Sequence, residues 1–195
     1  MSFFIKMSCI FAIGSTIGWV TEVIFRRFFS KNNPEKLWIN PGFLKGPWLP
    51  LYGVGLCILY VIALTERVFP VHSWFLKGIL LFLMALSMTA AEYLTGVFCL
   101  KVLKKRLWDY SNEKYNLGGL ICLRFSLYWA LTGAIYYFFV HHFVDDLLNF
   151  AIYGTSISFF TGIYLGVFSV DVAHSCVRQA EMNESKIFDE LSSRS

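Results

Sequence analysis

The sequence predicts an all-α protein, a polytopic membrane helical bundle of about five transmembrane helices. Hydrophobic residues make up 56% of the 195 residues and charged residues only 15%, which leaves too little polar surface to solvate a globular monomer. Five apolar stretches also have about the 20 residues that a helix needs to cross a bilayer. They cover approximately residues 7–25, 47–64, 78–100, 117–140 and 147–170.

A duplicated motif predicts how these helices are arranged. The stretch 40–53 reads NPGFLKGPWLPLYG and the stretch 116–129 reads NLGGLICLRFSLYW, so that Tyr52 aligns with Tyr128. Two copies of one motif ahead of two apolar segments indicate a duplicated unit. Because two spans separate the copies, both enter the membrane in the same direction, and the predicted repeat is parallel. We therefore expect helices 1 and 2 to match helices 3 and 4, with a fifth helix added.

The repeat gives a predicted domain organisation. A single transmembrane domain is expected over residues 1–177, with repeat 1 at about 7–66, repeat 2 at about 78–140 and the fifth helix at about 147–170. A short cytosolic tail, 178–195, follows it. The polar segment 141–146 is interpreted as an external loop between the fourth and fifth helices.

Basic residues predict the orientation in the cell membrane. Of the 17 Lys and Arg residues, 13 fall in the first loop, the third loop and the tail, three fall at the N-terminus and in the second loop, and Arg124 lies within a span. Loops rich in Lys and Arg stay in the cytoplasm, so we expect the N-terminus outside and the C-terminus inside. The net charge of +4 follows from this excess of basic residues in the cytoplasmic loops, so it does not require a nucleic-acid partner. Membrane lipids are the expected partners.

The first span carries one carboxylate, Glu22, on a helix suited to close packing. Gly14 and Gly18 lie four residues apart, a spacing of small residues that lets helices approach each other in lipid. Glu22 is four residues before Arg26. It is therefore either half of an ion pair at the membrane rim or a buried functional carboxylate.

The first copy of the motif, from Asn40 through Tyr52 to Gly53, is too rich in helix breakers to be a regular helix. Three prolines and three glycines fall within 14 residues. At membrane depth such backbone must be buried in protein or line an aqueous cavity. It is either a rigid elbow at headgroup level or a re-entrant segment that lines a pore or contacts a ligand.

The third span carries a deeper carboxylate. Eight residues separate Glu92 from Lys101, which places Glu92 about 12 Å or more from that lysine along the helix. A bare carboxylate at that depth is costly. Arg124, some seven residues into the fourth span, lies at a similar predicted depth, so we expect a Glu92–Arg124 pair. The pair is interpreted either as a buried salt bridge that fixes helix register or as a site that responds to protons or substrate.

The third loop begins with a basic cluster and continues as Trp108-Asp109-Tyr110-Ser111. The basic cluster is typical of a contact with anionic lipid. A carboxylate between two aromatic residues, as at Asp109, indicates a docking or capping role.

These clusters resemble a family of bacterial integral membrane proteins described as putative ABC-transporter type IV, or CmpB-like permeases. The resemblance covers about residues 10–130 and rests on Gly18-Trp19 with Glu22, the motif at 40–53, Glu92, the Trp108–Ser111 run, and the second motif from Asn116 to Trp129. It implies a permease subunit that works with a separate ATPase. The sequence departs from the family pattern at Pro41 and Leu120, where arginine is expected, and Arg124, one turn beyond Leu120, is a candidate replacement.

Two other functions stay open. One is a small membrane-embedded enzyme acting on a lipid head group, with Glu22, Glu92 and Asp109 as acid, base or metal ligands. The other is a non-catalytic scaffold or regulator, and homo-oligomerisation is compatible with each hypothesis. No P-loop, serine elbow or H-E-x-x-H motif occurs, so we expect no catalytic residue, cofactor or metal site of those kinds. The functional candidates are Glu22, Asn40, Tyr52, Glu92, Trp108, Asp109, Tyr110, Asn116 and Arg124.

Overall fold

The computed structural model describes residues 3–30, 33–68, 73–151 and 155–192, which form a helical bundle. The helices, in chain order, are α1 (Phe3–Phe28), α2 (Pro50–Val68), α3 (Trp74–Lys101), α4 (Leu123–Ile135), α5 (His141–Ala151) and α6 (Thr155–Ser192). Within the described ranges, the only strands are β1 (Asn116–Leu117) and β2 (Ile121–Cys122). The predicted all-α bundle is confirmed.

Three helices are long and apolar enough to cross a membrane. They are Phe3–Phe28, Trp74–Lys101 and Ser156–Ser185, and α2 provides a shorter apolar helix over Pro50–Glu66. Large apolar side chains point outward from the bundle: Phe82 on α3 is 66% exposed and Phe160 on α6 is 67% exposed. Faces of this kind are costly in water and stable in hydrocarbon. The chain is therefore a membrane protein.

Glycines allow close packing between consecutive helices. A Cβ placed at Gly18 of α1 would collide with the Tyr52 side chain of α2, and a Cβ at Gly55 would lie 2.6 Å from the Met88 terminal methyl group of α3. Close backbone approach replaces the hydrophobic effect as the main source of helix association inside lipid. The bundle consequently depends on these positions having no side chain.

One face of α6 packs on α1 through polar and aromatic contacts. The Ser15 hydroxyl lies 2.6 Å from the Tyr164 hydroxyl, and Phe11 meets the Phe168 ring edge-on at 5.2 Å. These contacts attach the last helix to the first. The α1–α2 and α3–α4 neighbours are compatible with the internal repeat, which remains a prediction.

The second copy of the motif forms a tight turn where a helix was expected. The predicted span began at residue 117, but α4 begins at Leu123. Before it, Asn116 pairs with Cys122 and Leu117 with Ile121 in an antiparallel hairpin. Gly118 and Gly119 have φ of 60° and 69°, the left-handed conformation that glycine adopts readily and a helix cannot contain.

The segment 141–146, predicted to be a loop, is helical, while its position outside the membrane stays a prediction. A π-helical turn over Tyr136–Val140 joins α4 to α5, so that one continuous helix runs from 123 to 151. His141 and Asp145 are buried, with His141 Nδ1 3.1 Å from the Tyr136 hydroxyl and Asp145 accepting a 3.1 Å hydrogen bond from the Tyr60 hydroxyl. Buried hydrogen-bond partners, and not solvent, satisfy these polar side chains.

The last helix is longer than predicted. α6 begins at Thr155 and extends to Ser192, within the predicted tail. At 1.5 Å per residue its 38 residues measure about 57 Å, well beyond the hydrocarbon thickness of about 30 Å. Its C-terminal part therefore extends outside the hydrocarbon layer. Residues 152–154 of the predicted fifth span and 193–195 of the predicted tail lie outside the described residues.

Replacing Gly18 with alanine should destabilise the bundle by about 1–3 kcal/mol, because the added methyl group overlaps Tyr52. Thermal unfolding in detergent measures the effect. Gly166→Ala on α6 is the matched control, since nothing beyond its chain neighbours and the backbone of its own helix lies within 4 Å of a Cβ built there. Equal melting temperatures for the two variants would contradict the close α1–α2 contact.

Candidate functional site

Glu22 is bound by one cation and one phenol. Its Oε1 accepts a hydrogen bond from Arg26 Nε at 2.9 Å, and its Oε2 accepts one from the Tyr52 hydroxyl at 3.0 Å. The side chain is 22% exposed. The i,i+4 ion pair of the first interpretation is therefore present, and Glu22 also binds an aromatic residue of the next helix. A functional role of this carboxylate stays a prediction.

Glu92 is almost fully buried and is bound by two neutral donors. The residue is 3% exposed. Its Oε1 accepts a hydrogen bond from the Tyr110 hydroxyl at 3.0 Å, and its Oε2 accepts one from Trp129 Nε1 at 3.0 Å. Charged hydrogen bonds of this kind offset part of the cost of removing a carboxylate from water.

Two aromatic rings connect the two carboxylates. The Tyr52 ring, whose hydroxyl binds Glu22, lies with its centroid 5.5 Å from that of Trp129, whose indole binds Glu92. We call Glu22, Tyr52, Trp129, Glu92 and Tyr110 the carboxylate network. It joins α1, α2, α3, α4 and the loop after α3 at one level of the bundle. The structure thus brings together four of the predicted candidates and adds Trp129.

The loop after α3 delivers Tyr110 to this network. The Tyr110 ring stacks on Phe125 at 4.4 Å, and its backbone N–H donates to the Gly119 carbonyl at 2.9 Å. Trp108 Nε1 donates to the Leu120 carbonyl at 2.8 Å. Burial raises the pKa of Tyr110 well above its usual range, and the Glu92 carboxylate raises it further. The phenol therefore remains protonated and acts as a hydrogen-bond donor at physiological pH.

Asp109 stabilises its own loop from the exposed side. It accepts hydrogen bonds from the Ser111 hydroxyl at 2.6 Å and the Ser111 N–H at 2.9 Å, and it pairs with Arg106. The Ser111 hydrogen bonds, with Arg106, hold the pKa of Asp109 below its usual value. Because the pKa is lowered in the folded state, ionised Asp109 stabilises the fold at pH values above its unfolded pKa of about 3.9. This stabilisation is lost as the pH falls through the lower pKa of the folded protein.

The two motif asparagines each brace a loop with both ends of the amide. Asn40 accepts from the Gly42 N–H and donates to the carbonyls of Leu44 and Lys45. Asn116 accepts from the Gly119 N–H and donates to the carbonyls at positions 111 and 113. Asn40 also accepts a 3.0 Å hydrogen bond from the indole N–H of α1 residue 19. Both asparagines have a local structural role.

The predicted Glu92–Arg124 pair is wrong. Arg124 donates to Glu113 at 3.3 Å and to the Tyr128 hydroxyl at 3.2 Å, and its side chain is 58% exposed. The hairpin delays the start of α4 to Leu123, so Arg124 lies in the first helical turn and not seven residues deep. Glu92 uses Trp129 and Tyr110 instead.

Arg124 does not replace an arginine at Leu120 either. Leu120 lies in the turn before α4, not on the helix, and its side chain packs against Gly96 of α3. Arg124 is directed toward Glu113 at the surface. The two residues therefore occupy different environments.

Asp171 is a site residue that the sequence interpretation missed. Its carboxylate accepts hydrogen bonds from the Lys45 N–H at 3.2 Å, the Gly46 N–H at 2.9 Å and Trp48 Nε1 at 2.8 Å. Ser175, one turn later, donates a fourth hydrogen bond at 3.2 Å. Asp171 thus attaches α6 to the first motif. The available signal was an aspartate placed one residue after the predicted end of the last span.

The described residues offer limited chemistry for a cofactor. Among them, no group of three His, Cys, Asp or Glu side chains is arranged to hold a metal ion. The network instead contains two carboxylates, Glu22 and Glu92, whose oxygens accept hydrogen bonds from one arginine, two tyrosines and one tryptophan.

A comparison with protein families identifies the family of the chain. The family model described as "Putative ABC-transporter type IV" matches residues 9–176. The chain belongs to this family. The matched region of this ABC-transporter type IV family member begins in α1, includes the carboxylate network and extends past Asp171. Comparisons with curated proteins and with solved structures found no match.

In this family member, Trp129→Phe should lower stability by about 1–3 kcal/mol, because it leaves a buried carboxylate oxygen without its donor. The loss should be smaller in a Glu92→Gln background, which removes the charge. Unfolding in detergent–SDS mixtures measures this double-mutant cycle. Arg124→Gln and Glu92→Gln should instead be additive within about 0.5 kcal/mol, and a clear coupling between them would contradict the observed geometry.

Asp171→Ala should release the first motif, because the Lys45 N–H, the Gly46 N–H and the Trp48 indole lose a common acceptor. Limited trypsin digestion in detergent should then cleave faster after Lys45, which is exposed. His174→Ala, at an exposed position of the same helix, is the control. Identical cleavage rates in the two variants would argue against the attachment.

Proposed function

We propose that the protein is a multi-pass permease subunit of an ABC-type transporter in the cell membrane, working with a separate ATPase. Its N-terminus lies outside and its C-terminus in the cytoplasm. Family membership supports the transporter class. The observation that carries the proposal is the carboxylate network, which places Glu22 and Glu92 on either side of the contact between the α1–α2 and α3–α4 pairs.

The network is suited to a switch between two arrangements. Tyr52 belongs to one helix pair and Trp129 to the other, and within the carboxylate network their rings make the contact between the two pairs. Movement of one pair against the other would separate these rings without breaking a salt bridge. Both carboxylates would then become accessible to water, a proton or a cationic group of a substrate. Ionisable residues inside membrane proteins mark such pathways.

The loops give an ATPase a mechanical connection to this network. Loop 102–122 carries Tyr110, the direct partner of Glu92. Loop 29–49 contacts α6 through Asp171, and Asn183 of α6 donates to the Leu103 carbonyl at 3.3 Å. Displacement of α6 or of either loop would therefore reach Glu92 through Tyr110. Exposed lysines on both loops, Lys45 and Lys105 among them, offer contacts to an acidic protein surface.

A non-catalytic scaffold or regulator is the second candidate. The observation that favours it is the complete hydrogen bonding of the Glu92 carboxylate in a packed environment. A lipid-modifying enzyme has less support, because Asp109, one of its expected acid–base groups, is committed to Ser111 and Arg106 within its own loop.

Glu92→Gln separates the permease from the scaffold. If the protein is a permease, this variant should remain in the membrane at normal abundance and still co-purify with a nucleotide-binding protein. Its substrate-coupled ATPase activity should fall at least about tenfold, the effect of losing about 1.4 kcal/mol of a required interaction. Glu113→Gln, in the loop 102–122 that carries Tyr110, is the matched control because Glu113 lies outside the carboxylate network. Co-purification from gentle detergent extracts, with ATPase assays, measures both properties.

Three outcomes would contradict the permease proposal. The wild-type protein could purify without any nucleotide-binding protein, or Glu92→Gln could retain full coupled activity. A third contrary result is reduced abundance of Glu92→Gln with unchanged activity per molecule, which would indicate a structural role.

A further inference from the structure

An open groove lies outside the carboxylate network, between α1 and the segment that precedes the first motif. Its volume is about 470 Å³. One wall consists of α1 side chains and the other of the extended segment 38–40. The lining residues are Trp19, Val20, Val23, Ile24, Trp38, Ile39 and Asn40. The hydrogen bond from Trp19 Nε1 to Asn40 Oδ1, 3.0 Å long, ties the two walls together. The groove is therefore an apolar surface fixed by the fold.

A cation lies at the border of this groove. Arg27 follows Val23 by one helical turn, and its guanidinium carbon is 4.1 Å from the centroid of the Trp38 ring. Arg27 Nε is buried and is the one buried side-chain nitrogen or oxygen without a hydrogen-bond partner in the part of the chain that the structure describes. The neighbouring Arg26 differs, because its Nε is used by Glu22. Arg27 thus places its guanidinium over the Trp38 ring and has an Nε–H donor that no described protein group accepts.

The chemistry of the groove and of the guanidinium indicates one class of ligand. Apolar walls suit an acyl chain, and a planar guanidinium suits a phosphate, to which it can donate two parallel hydrogen bonds. Arg27 lies in the last turn of the 26-residue α1, where a membrane-length helix reaches the headgroup region. We propose that this groove binds one anionic phospholipid, with an acyl chain between α1 and Trp38 and the phosphate on Arg27.

The site is independent of the proposed permease function. None of its lining residues binds Glu22 or Glu92 directly, and the lipid would occupy it whether or not the protein transports a substrate. Its connection to the rest of the fold runs through Asn40, which both binds Trp19 and braces the first motif. A bound lipid would therefore also stabilise the loop that Asp171 contacts.

Native mass spectrometry of the delipidated full chain in detergent tests the proposal. Dioleoyl phosphatidylglycerol should bind as a first, tighter adduct than dioleoyl phosphatidylcholine. Arg27→Gln should weaken phosphatidylglycerol binding about fivefold, the effect expected for one basic residue near an anionic headgroup, and should leave phosphatidylcholine binding unchanged. Arg178→Gln, an exposed arginine of α6, is the matched control and should bind both lipids as the wild type does.

Two further arms make the test decisive. Val20→Trp should fill the groove and weaken binding of both lipids while the charge is retained. Arg27→Lys keeps the charge but loses the planar fork, so its affinity should be intermediate, and these two variants test the site if Arg27→Gln does not fold. The proposal is overturned if Arg27→Gln and Val20→Trp bind like the wild type, or if glycerol phosphate alone displaces the lipid, which would identify a site for free phosphate.

Discussion

The cost of keeping a carboxylate inside a lipid-embedded bundle governs the central architecture of this protein. Glu92 is 3% exposed, and both of its oxygens are satisfied by neutral donors that lie far from it in sequence. Trp129 reaches it from α4 and Tyr110 from the loop after α3. Each donor requires its own segment to be held in one position. Satisfying one buried group therefore determines how a helix and a loop pack.

The loops are consequently part of the core and not simple tethers. Asn40 and Asn116 each use a complete side-chain amide to shape a turn. Trp48, after the first turn, packs on α6, and Tyr110, before the second, reaches Glu92. The first loop is attached to α6 by Asp171 and the second contributes the ring of Tyr110. Irregular backbone at this depth survives because protein groups replace the missing water.

The sequence allowed prediction of the features that depend on composition and local pattern. Apolar stretches gave the all-α bundle, rare clusters gave the family, and both network carboxylates were identified as candidates. The Glu92–Arg124 pair failed because residue depth was counted along an assumed helix, whereas two glycines in the left-handed conformation delay α4 until Leu123. A two-glycine signal was visible in the sequence, but its effect on register depended on three-dimensional packing.

Other parts of the site depend on long-range contacts that no local pattern encodes. Asp171 meets the first motif across 123 to 126 residues of chain, and Trp129, adjacent to the aligned Tyr128, is the residue that reaches Glu92. The choice between neighbouring aromatics is decided by helix rotation. An alignment of two motifs cannot supply that angle, particularly when one copy precedes a helix directly and the other forms a hairpin.

The π-helical turn at Tyr136–Val140 has a consequence for the phase of the helix that contains it. In an uninterrupted α-helix, the inward residues Trp129 and Gly133 and the later pair Asp145 and Leu148 would differ in azimuth by roughly 100°, which is one residue of rotation. The wider turn absorbs one additional residue and restores a common inward direction. Deleting one residue within the π-helical turn would therefore convert it to regular α-helix. Asp145 would still face the bundle interior and not lipid.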